Sequence, residues 1–452
     1  MSTAPKGYKI LENIPVTGWH SSGKGVVSDG RHNIYVSHVI PGEWVNVAIA
    51  KRQKRNYIAG NVISVIQPSR FRINPVCSHF ELCGGCNWMH MQYEQQLVHK
   101  KSLIEQALAK YQIPHPPIDD VVPSPRSLAY RGKVDFALNF LDNHEVCIGF
   151  HPLENPHTIF PLKECYITDP QVIQTAIRLQ EIMLEWFKSA SPSNNLKEIL
   201  GGFTLRCNKN GDQMLIFHTL QESPDILAIV KQLIPSNKSI KSIFLKLKQP
   251  DQNTFIHVWG ETYLEENINQ WLFKLSADAF FQPNIYLAEQ LFQEIVTLAS
   301  PSTNDTVYDL YTGVGTIAIH LTPYAHKVVG IENSEFAIQD ARYNQQRNNL
   351  NNLVFEVGDV LKTFVPDFVK IHGHPDIVVL DPPRAGTLIE TLKNMVIFRP
   401  KRIIYVSCNP VSLAWNLTYL RDFYTIEKII PYDMFPQTHH VETLVRLERK
   451  KQ

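Results

Sequence analysis

From about Phe280 onward, short apolar runs alternate with amphipathic stretches, and this alternation constrains the fold of the 452-residue chain more than any other feature. A helix between consecutive strands makes those strands parallel, so the pattern predicts an α/β fold with a doubly wound parallel sheet. A helix is expected over 334–349. The runs that predict strands are Val307–Leu310, Lys327–Ile331, Leu353–Val357, Ile377–Leu380 and Ile403–Val406.

The front of the chain differs from this region in pattern and in charge. Residues 8–66 contain short apolar alternations cut by the turns Ser28-Asp-Gly and Pro41-Gly, which is typical of a small β-barrel. The first 100 residues carry a net charge of +6 and the remainder −5, which indicates a polyanionic partner. Four cations near Tyr57 suit a phosphate backbone and a stacked base, although a solvated hairpin tip is an equal alternative. These cations are Lys51, Arg52, Lys54 and Arg55.

The pattern between these two regions is mixed. A helical stretch covers 89–121, and 126–270 combines strand-like runs with a helix near 170–188, as in an α+β domain. At a typical domain size of about 150 residues, the chain has room for three domains. The expected domains are a barrel over 1–68, a central domain over 69–88 and 122–270, and an α/β domain over 89–121 and 271–452.

A glycine-rich loop follows the first strand of the alternating region. Gly313 and Gly315 lie between an expected strand and an expected helix, where they let the backbone approach a ligand closely. Glu332 follows 19 residues after Gly313, at the end of the next strand, where a carboxylate can bind both hydroxyls of a ribose. The unit predicts a nucleoside cofactor and leaves NAD and S-adenosylmethionine open. A tight turn without a ligand is the purely structural alternative.

Three further motifs fall at the ends of expected strands, where α/β sheets bind ligands. Asp381-Pro-Pro-Arg384 places a carboxylate and a cation there, and nicotinamide enzymes give no reason to expect this motif. Cys408 closes another strand, and Glu442 precedes the last one. Each has an ordinary alternative, because prolines can end a strand, a cysteine can fill a core and a glutamate can lie at the surface.

The sharpest local signal is the spacing of Cys77, Cys83 and Cys86 around a glycine turn. Thiolates at these separations can share one metal centre, either zinc or an iron–sulfur cluster. A fourth ligand is needed, and spacing does not choose among the candidates, which are Cys147, Cys165, Cys207, His79 and His90.

The compartment is expected to be reducing, because no apolar signal segment follows the first residues. A cytoplasmic location is therefore expected, and the seven cysteines are expected to bind metal, catalyse or pack rather than form disulfides. No run approaches the roughly 18 apolar residues of a membrane span, so no membrane association is expected.

In their order along the chain, these motifs resemble the RNA uracil-5-methyltransferase family, in particular its iron–sulfur branch that methylates 23S ribosomal RNA. The resemblance covers nearly the whole chain. Two departures are small, since Thr312 stands where cysteine is frequent and Pro283 interrupts a Gln-x-Asn motif. The matching motifs are Lys24–Gly30, Val39–Glu43, the three spaced cysteines, Phe281–Asn284, the glycine loop, Asp381–Arg384, Ser407–Pro410 and Phe435–Glu442.

The resemblance implies a TRAM-like barrel, a Rossmann-like methyltransferase domain and a [4Fe-4S] cluster with Cys165 as its fourth ligand. It implies that Cys408 attacks carbon 6 of a uracil and that Glu442 removes the proton from carbon 5. The implied partner is RNA, with 23S ribosomal RNA expected, bound by a monomer without a protein partner. The residues expected to bind S-adenosylmethionine are Gln282, Tyr311, Gly313, Gly315, Thr316, Glu332, Asp359 and Asp381.

Three alternatives to this function are considered. Some relatives methylate transfer RNA, including cluster-bearing ones. An amino-group methyltransferase would also use Asp-Pro-Pro with the glycine loop, but it usually has an aromatic residue where Arg384 stands, and it has no need of Cys408. A non-enzymatic RNA-binding scaffold would show damage at Cys408, Glu442 or the glycine loop, and the sequence shows none.

Overall fold

The computed structural model describes residues 8–50, 58–141, 145–153, 155, 157–189, 196–249 and 253–451. The strands of its first sheet are β1 (Tyr8–Pro15), β2 (Gly18–Trp19), β3 (Gly25–Ser28), β4 (Asn33–Val36), β5 (Trp44–Ala50) and β6 (Ile58–Gln67). Their order is β1-β5-β6-β4-β3-β2, around an apolar core that includes Val27, Ile34 and Val47. The short strands expected here are present. The cations Lys51, Arg52, Lys54 and Arg55 lie outside the described residues, and their role stays a prediction.

A single long helix, α1 (Tyr93–Lys110), follows the cysteine-bearing segment. The prediction of a helix over 89–121 is wrong at both ends. Prolines at 114, 116 and 117 exclude a helix there, because proline lacks an amide hydrogen and clashes with the preceding turn. Gln112, at a φ of +51°, already leaves the helical conformation. In the part of the chain that the structure describes, no helix is long and apolar enough to cross a membrane.

The second sheet, in the middle of the chain, is mainly antiparallel, with strand order β13-β12-β11-β10-β7-β8-β9. Its strands are β7 (Lys133–Phe140), β8 (Val146–Phe150), β9 (Phe160–Pro161), β10 (Leu200–Cys207), β11 (Gln213–Thr219), β12 (Ile240–Leu247) and β13 (Thr254–Gly260). Its helices are α2 (Pro170–Ser189), α3 (Leu196–Ile199) and α4 (Pro224–Ser236). The helix expected near 170–188 is therefore confirmed, and it packs on the sheet through residues such as Leu179 and Met183.

The third sheet is preceded by a hairpin of β14 (Leu264–Ile268) and β15 (Trp271–Leu275). Its strands are β16 (Thr306–Leu310), β17 (Lys327–Glu332), β18 (Leu353–Val357), β19 (Ile377–Leu380), β20 (Arg402–Ser407), β21 (Tyr424–Tyr432) and β22 (Glu442–Arg449). Its helices are α5 (Ile285–Ala299), α6 (Thr316–Leu321), α7 (Glu335–Arg347), α8 (Val360–Thr363), α9 (Pro366–His372), α10 (Ile389–Phe398) and α11 (Pro410–Leu420). The order β18-β17-β16-β19-β20-β22-β21 confirms the doubly wound α/β prediction.

One strand of the third sheet departs from the parallel arrangement. β22 runs antiparallel to both β20 and β21. Every other connection passes through a helix, but β21 and β22 are joined by residues 433–441 alone, so the chain reverses its direction. The last strand therefore begins at the sheet edge where the parallel strands end.

Aromatic packing fixes the first sheet against α1 and the segment before it. Trp19 packs on Trp88 with ring centroids 4.7 Å apart and on His99 at 5.3 Å. The indole Nε1–H of Trp88 donates a hydrogen bond of 3.0 Å to the carbonyl of Gly23. A Cβ at position 23 would lie 2.5 Å from the side chain of His439, so the loop around Gly23 packs on the connection between β21 and β22.

Candidate active site and cysteine cavity

The glycine loop joins β16 to α6 through three residues with a left-handed backbone. The φ angle is +66° at Tyr311, +56° at Gly313 and +84° at Gly315, and Thr316 begins α6 directly afterwards. A Cβ on Gly315 would lie 2.6 Å from Cζ of Phe355, so this position requires glycine. A Cβ on Gly313 would meet no described atom within 4 Å. The backbone of Gly313 therefore borders a space that a ligand can enter.

Asp309, a residue that the sequence analysis missed, holds this loop by hydrogen bonds from the end of β16. Its Oδ2 accepts hydrogen bonds of 2.5 Å from Thr312 Oγ1 and 3.0 Å from the amide of Ala318. Burial raises the pKa of Asp309 to about 7, and the carboxylates of Asp381 and Glu332 add to the effect. An acidic residue inside an otherwise apolar strand, just before the glycine loop, is the signal that could have identified it.

Glu332 is held at the end of β17 by backbone amides. Its Oε2 accepts a hydrogen bond of 3.2 Å from the amide of Gly313, and its Oε1 accepts bonds of 2.9 Å and 3.0 Å from the amides of Asn333 and Ser334. The carboxylate therefore lies against the glycine loop, as expected for a ribose-binding residue.

Tyr311 and Asp359 lie close to Glu332. The hydroxyl of Tyr311 forms a hydrogen bond of 2.7 Å with Thr387 Oγ1. Burial raises the pKa of Tyr311, and the negative charges of Asp359 and Glu332 add to the effect, which places both carboxylates near this hydroxyl. Asp359 itself is exposed, and its Oδ1 accepts a hydrogen bond of 2.8 Å from the amide of Leu361 at the start of α8.

The register of the last strand places a carboxyl group beside a thiol. In the antiparallel pairing of β20 with β22, Ser407 lies opposite Thr443. Cys408 follows Ser407 and Glu442 precedes Thr443, so these two residues meet at the next position of the same register. Glu442 is only 3% exposed, and its Oε1 has no hydrogen-bond partner within the described residues.

Asp381 completes this group from the neighbouring strand. It follows β19, and its Oδ2 accepts a hydrogen bond of 3.3 Å from Gln282 Nε2. Asp381 keeps partial contact with solvent, but the dense protein around it raises its pKa to about 7. Burial, followed by the charge of Asp381, raises the pKa of Glu442 well above its usual range.

The thiol of Cys408 responds to both carboxyl groups. Burial raises its pKa to about 12, with further contributions from Glu442 and Asp381, while the charge of Arg384 lowers it. Three groups that become anions thus share one desolvated corner, and each disfavours the ionisation of the others. Groups that perturb one another in this way are typical of active sites.

Arg384 is tied to the turn that carries the thiol. Its backbone carbonyl accepts hydrogen bonds of 2.9 Å from Asn409 Nδ2 and 3.1 Å from Ser412 Oγ. Its Nη2 donates a hydrogen bond of 2.8 Å to Nδ1 of His440, whose pKa is lowered to about 3 by burial and by neighbouring cations. A neutral imidazole can accept this hydrogen bond, which holds the guanidinium near Cys408.

Asn416, which the sequence analysis also missed, connects Thr387 to Tyr405 of β20. Its Oδ1 accepts hydrogen bonds of 3.0 Å from the amide of Thr387 and 2.7 Å from the hydroxyl of Tyr405, and its Nδ2 donates one of 2.9 Å to the carbonyl of Thr387. Thr387 in turn bonds to Tyr311. A polar side chain on the buried face of α11 is the only sequence signal for it.

The four expected cysteine ligands line a separate cavity of about 270 Å³. Burial raises the pKa of all four thiols, to about 11 for Cys165. Arg131 lowers the pKa of Cys83, Cys86 and Cys165 and so places a positive charge beside them. Glu164 also lines the cavity, and its Oε1 accepts a 2.5 Å hydrogen bond from the amide of Ser78.

The remaining ligand candidates separate in the structure. His79 also lines the cavity, whereas Cys147 lies in β8 and Cys207 in β10, and neither is part of its lining. Within the described ranges, no group of three or more His, Cys, Asp or Glu side chains is arranged to hold a metal ion. The thiols surround a cavity instead of converging on a point, so the geometry does not confirm the predicted metal centre.

Comparison with known proteins agrees with this architecture, which is that of an enzyme with a nucleoside cofactor at a doubly wound sheet. A family model described as tRNA (uracil-5-)-methyltransferase matches residues 92–450. An uncharacterized RNA methyltransferase of Bacteroides thetaiotaomicron is 30% identical over 451 residues, which cover 95% of this chain and 99% of that protein. Another, from Clostridium tetani, is 31% identical over 448 residues, which cover 96% and 95%.

A solved structure extends the comparison to three dimensions. The tRNA (uracil-54, C5)-methyltransferase of Pyrococcus abyssi, in complex with S-adenosyl-L-homocysteine, is similar with a TM-score of 0.75 and 26% identity, covering 96% of this chain and 99% of that one. The chain belongs to the tRNA (uracil-5-)-methyltransferase family and is an S-adenosylmethionine-dependent RNA methyltransferase.

The two loop glycines provide a test of the cofactor site. Gly315→Ala should destabilise the protein by about 1–3 kcal/mol, because its Cβ overlaps Phe355. Gly313→Ala should cost only about 1 kcal/mol of backbone strain, yet weaken S-adenosylhomocysteine binding, because its Cβ enters the ligand space. Denaturant unfolding and titration calorimetry measure the two effects. Wild-type affinity in Gly313→Ala would contradict this placement of the cofactor.

Proposed function

We propose that this enzyme methylates carbon 5 of a uridine in 23S ribosomal RNA, with Cys408 as nucleophile and Glu442 as base. The observation that carries this proposal is the register of β20 and β22, which sets the two residues side by side at the ligand-binding edge of the sheet. An amino-group methyltransferase would have no use for this thiol. The position after the prolines also holds Arg384, which bonds to His440, in place of an aromatic ring that could stack on a base.

The thiol has a definite task in this chemistry. Carbon 5 of uracil is a weak nucleophile until another group adds to carbon 6. Cys408, as the thiolate, forms a bond to carbon 6 and shifts an electron pair towards carbon 5. Arg384 favours the thiolate, because its charge opposes the effect of burial on the pKa of Cys408.

Glu442 acts at the other end of the same intermediate. S-adenosylmethionine supplies the methyl group that carbon 5 receives. Glu442 then takes the remaining proton from carbon 5, the electron pair returns to the ring, and the bond between Cys408 and carbon 6 breaks. A buried carboxyl group with a raised pKa is a strong proton acceptor once it is ionised, which suits this step.

The remaining site residues are assigned to the cofactor. We assign Glu332 to the ribose hydroxyls, because it lies against the glycine loop, and Asp359 to the adenine, because it lies near Tyr311. Gln282 donates a hydrogen bond to Asp381. We assign the two residues to the charged end of the cofactor or to the substrate. Gly313, Gly315 and Thr316 supply the loop and the start of α6.

Two variants separate the roles of the thiol and the carboxyl group. Cys408→Ala should bind RNA and cofactor but show neither methylation nor a covalent species. Glu442→Gln should add to carbon 6 and transfer the methyl group, then stall before elimination. On a denaturing gel it should appear as a protein–RNA conjugate that carries label from the methyl donor.

The double variant and a substrate analogue serve as controls. Cys408→Ala combined with Glu442→Gln should lose the conjugate, and 5-fluorouridine RNA, which has no removable proton at carbon 5, should trap the wild-type enzyme. Methylation of carbon 5 by Cys408→Ala, or normal turnover of Glu442→Gln without a conjugate, would reject these assignments.

The proposed RNA target rests on the cysteine cavity, because the resemblance that includes these cysteines points to 23S ribosomal RNA. The sheet of residues 8–67 is proposed to be a TRAM-like domain that binds flanking phosphates, with the domain boundaries given by the sequence analysis. A transfer RNA target is the second candidate, and it is favoured by the similarity to the Pyrococcus abyssi transfer RNA enzyme over 96% of the chain.

Mapping of 5-methyluridine in cells with and without the gene decides between the targets. Loss of the modified base from 23S ribosomal RNA alone is expected. The purified enzyme should then restore methylation of that RNA, with unmodified transfer RNA as the matched control. Loss confined to transfer RNA would overturn the choice of target.

The cysteine cavity fits an iron–sulfur cluster better than a single ion. Cys77, Cys83, Cys86 and Cys165 provide the four thiolates that a [4Fe-4S] cluster takes, one for each iron, so they need to surround a cavity rather than one point. Arg131 provides a positive charge next to the anionic group. We propose a reducing, cytoplasmic location, because the sequence favours metal-binding, catalytic or packing roles for the cysteines over disulfides. We propose a structural role for the cluster, in an enzyme that acts as a monomer.

Anaerobic purification tests this assignment. The protein should be brown, with a broad visible absorption band and with iron and sulfide in equal amounts, and Cys83→Ser should lose both. Cys147→Ser is the matched control and should retain them, because Cys147 lies in β8, away from the cavity lining. One zinc and no sulfide would reject the cluster.

A further inference from the structure

The connection that leads to Glu442, residues 433–441, is held by residues 87–96, which follow Cys86. The amides of Asn87 and Trp88 donate hydrogen bonds of 3.1 Å and 3.0 Å to the carbonyl of Gln437. The side chain of Gln96, in α1, donates one of 3.0 Å to Gln437 Oε1 and accepts one of 3.0 Å from the amide of Gln437. Gln437 is thus held by four hydrogen bonds from residues 87–96, and its Nε2 donates a fifth, of 3.3 Å, to the carbonyl of Ser127.

These contacts matter because the backbone conformation of Gln437 is intrinsically unfavourable. Gln437 has a φ of +68°, in the left-handed region that costs a residue with a side chain about 1–2 kcal/mol. Such a conformation persists only where the surrounding structure imposes it. Residues 87–96 therefore help to set the path of the chain towards Glu442.

The side chain of Asn87 holds His439, three residues before Glu442. Its Oδ1 accepts a hydrogen bond of 3.0 Å from the amide of His439, and its Nδ2 donates one of 2.7 Å to Nδ1 of the same residue. Burial lowers the pKa of His439 to about 4, with cations nearby adding to the effect, so the ring is neutral and Nδ1 can accept. Gly23 also packs on the side chain of His439.

We infer that Asn87 is a positioning residue for Glu442, one that sets the carboxyl group against carbon 5 through His439. The inference rests on the proposed role of Glu442. Cys408 and the glycine loop belong to other connections, after β20 and β16. Loss of Asn87 therefore slows removal of the proton, while addition of the thiol and transfer of the methyl group continue. A displacement of about 1 Å at a catalytic group can cost about a hundredfold in rate.

Single-turnover kinetics of Asn87→Ala test this inference. Methyl transfer to RNA should stay within about twofold of the wild type, elimination should slow by about tenfold or more, and the methylated protein–RNA conjugate should accumulate. Amide hydrogen exchange at His439 and His440 should accelerate. Asn352→Ala is the matched control. Asn352 lies directly before β18, and its Nδ2 also holds a loop by two hydrogen bonds, to the carbonyls of Thr322 and Ala325. It should not accumulate the conjugate.

A conservative variant covers the case in which Asn87→Ala folds poorly. Asn87→Asp keeps the oxygen that accepts from the amide of His439, so its elimination rate should lie between those of the wild type and Asn87→Ala. The inference is overturned if Asn87→Ala slows methyl transfer and elimination equally, if it matches Asn352→Ala, or if Asn87→Asp eliminates no faster than Asn87→Ala. Failure of Glu442→Gln to accumulate the conjugate would contradict the proposed function itself, so the two failures are distinguishable.

Discussion

The antiparallel pairing of β20 with β22 is the constraint on which the site depends. Parallel strands end at one edge of the sheet and so bring Asp381 and Cys408 together there. A further parallel strand would begin at the opposite edge, and its first residue would lie a full strand length from the thiol. Because β22 is reversed, Glu442 at its start lies beside Cys408 at the end of β20. A connection without a helix between β21 and β22 is what permits this reversal.

The reversal of β22 also has an electrostatic consequence. Asp381, Glu442 and Cys408 occupy one desolvated corner, and burial raises the pKa of each. A positive charge bound in that corner lowers all three pKa values together, because it stabilises each anion. Arg384 supplies such a charge to Cys408. In the proposed function a sulfonium cofactor would supply another, which would couple ionisation of the thiol to binding of the cofactor.

The front of the chain contributes to the same corner through the connection between β21 and β22. Gly23 packs on it from the first sheet, and the hydroxyl of Tyr130 donates a hydrogen bond of 3.0 Å to the carbonyl of Pro436. Lys100 of α1 forms a buried ion pair with Asp433 and bonds to the carbonyl of Phe435 at 3.0 Å. A buried pair of this kind adds little net stability, but loss of one partner is costly, so it fixes the arrangement.

The sequence by itself determined the α/β class, the glycine loop with Glu332, and the cysteine spacing, because each depends on residues close together in the chain. Strand and turn preferences and local spacing are readable without knowledge of distant neighbours. Asp309 could have been found from its place in an apolar strand, because its partners Thr312 and Ala318 follow closely in the chain. Asn416 could not, because it is brought to Thr387 and Tyr405 only by the tertiary structure. Helix α1 ends at Lys110 and not at 121, as the apolar periodicity predicted, because three prolines exclude a helix beyond residue 113. Residue spacing left open whether Glu442 meets Cys408 and whether Cys165 joins the other thiols, and only the family resemblance implied both. The tertiary structure brings each of these groups together, and it alone decided that Asn87 holds His439. Each of these depends on strand register or on packing between segments far apart in the chain, which no local pattern encodes.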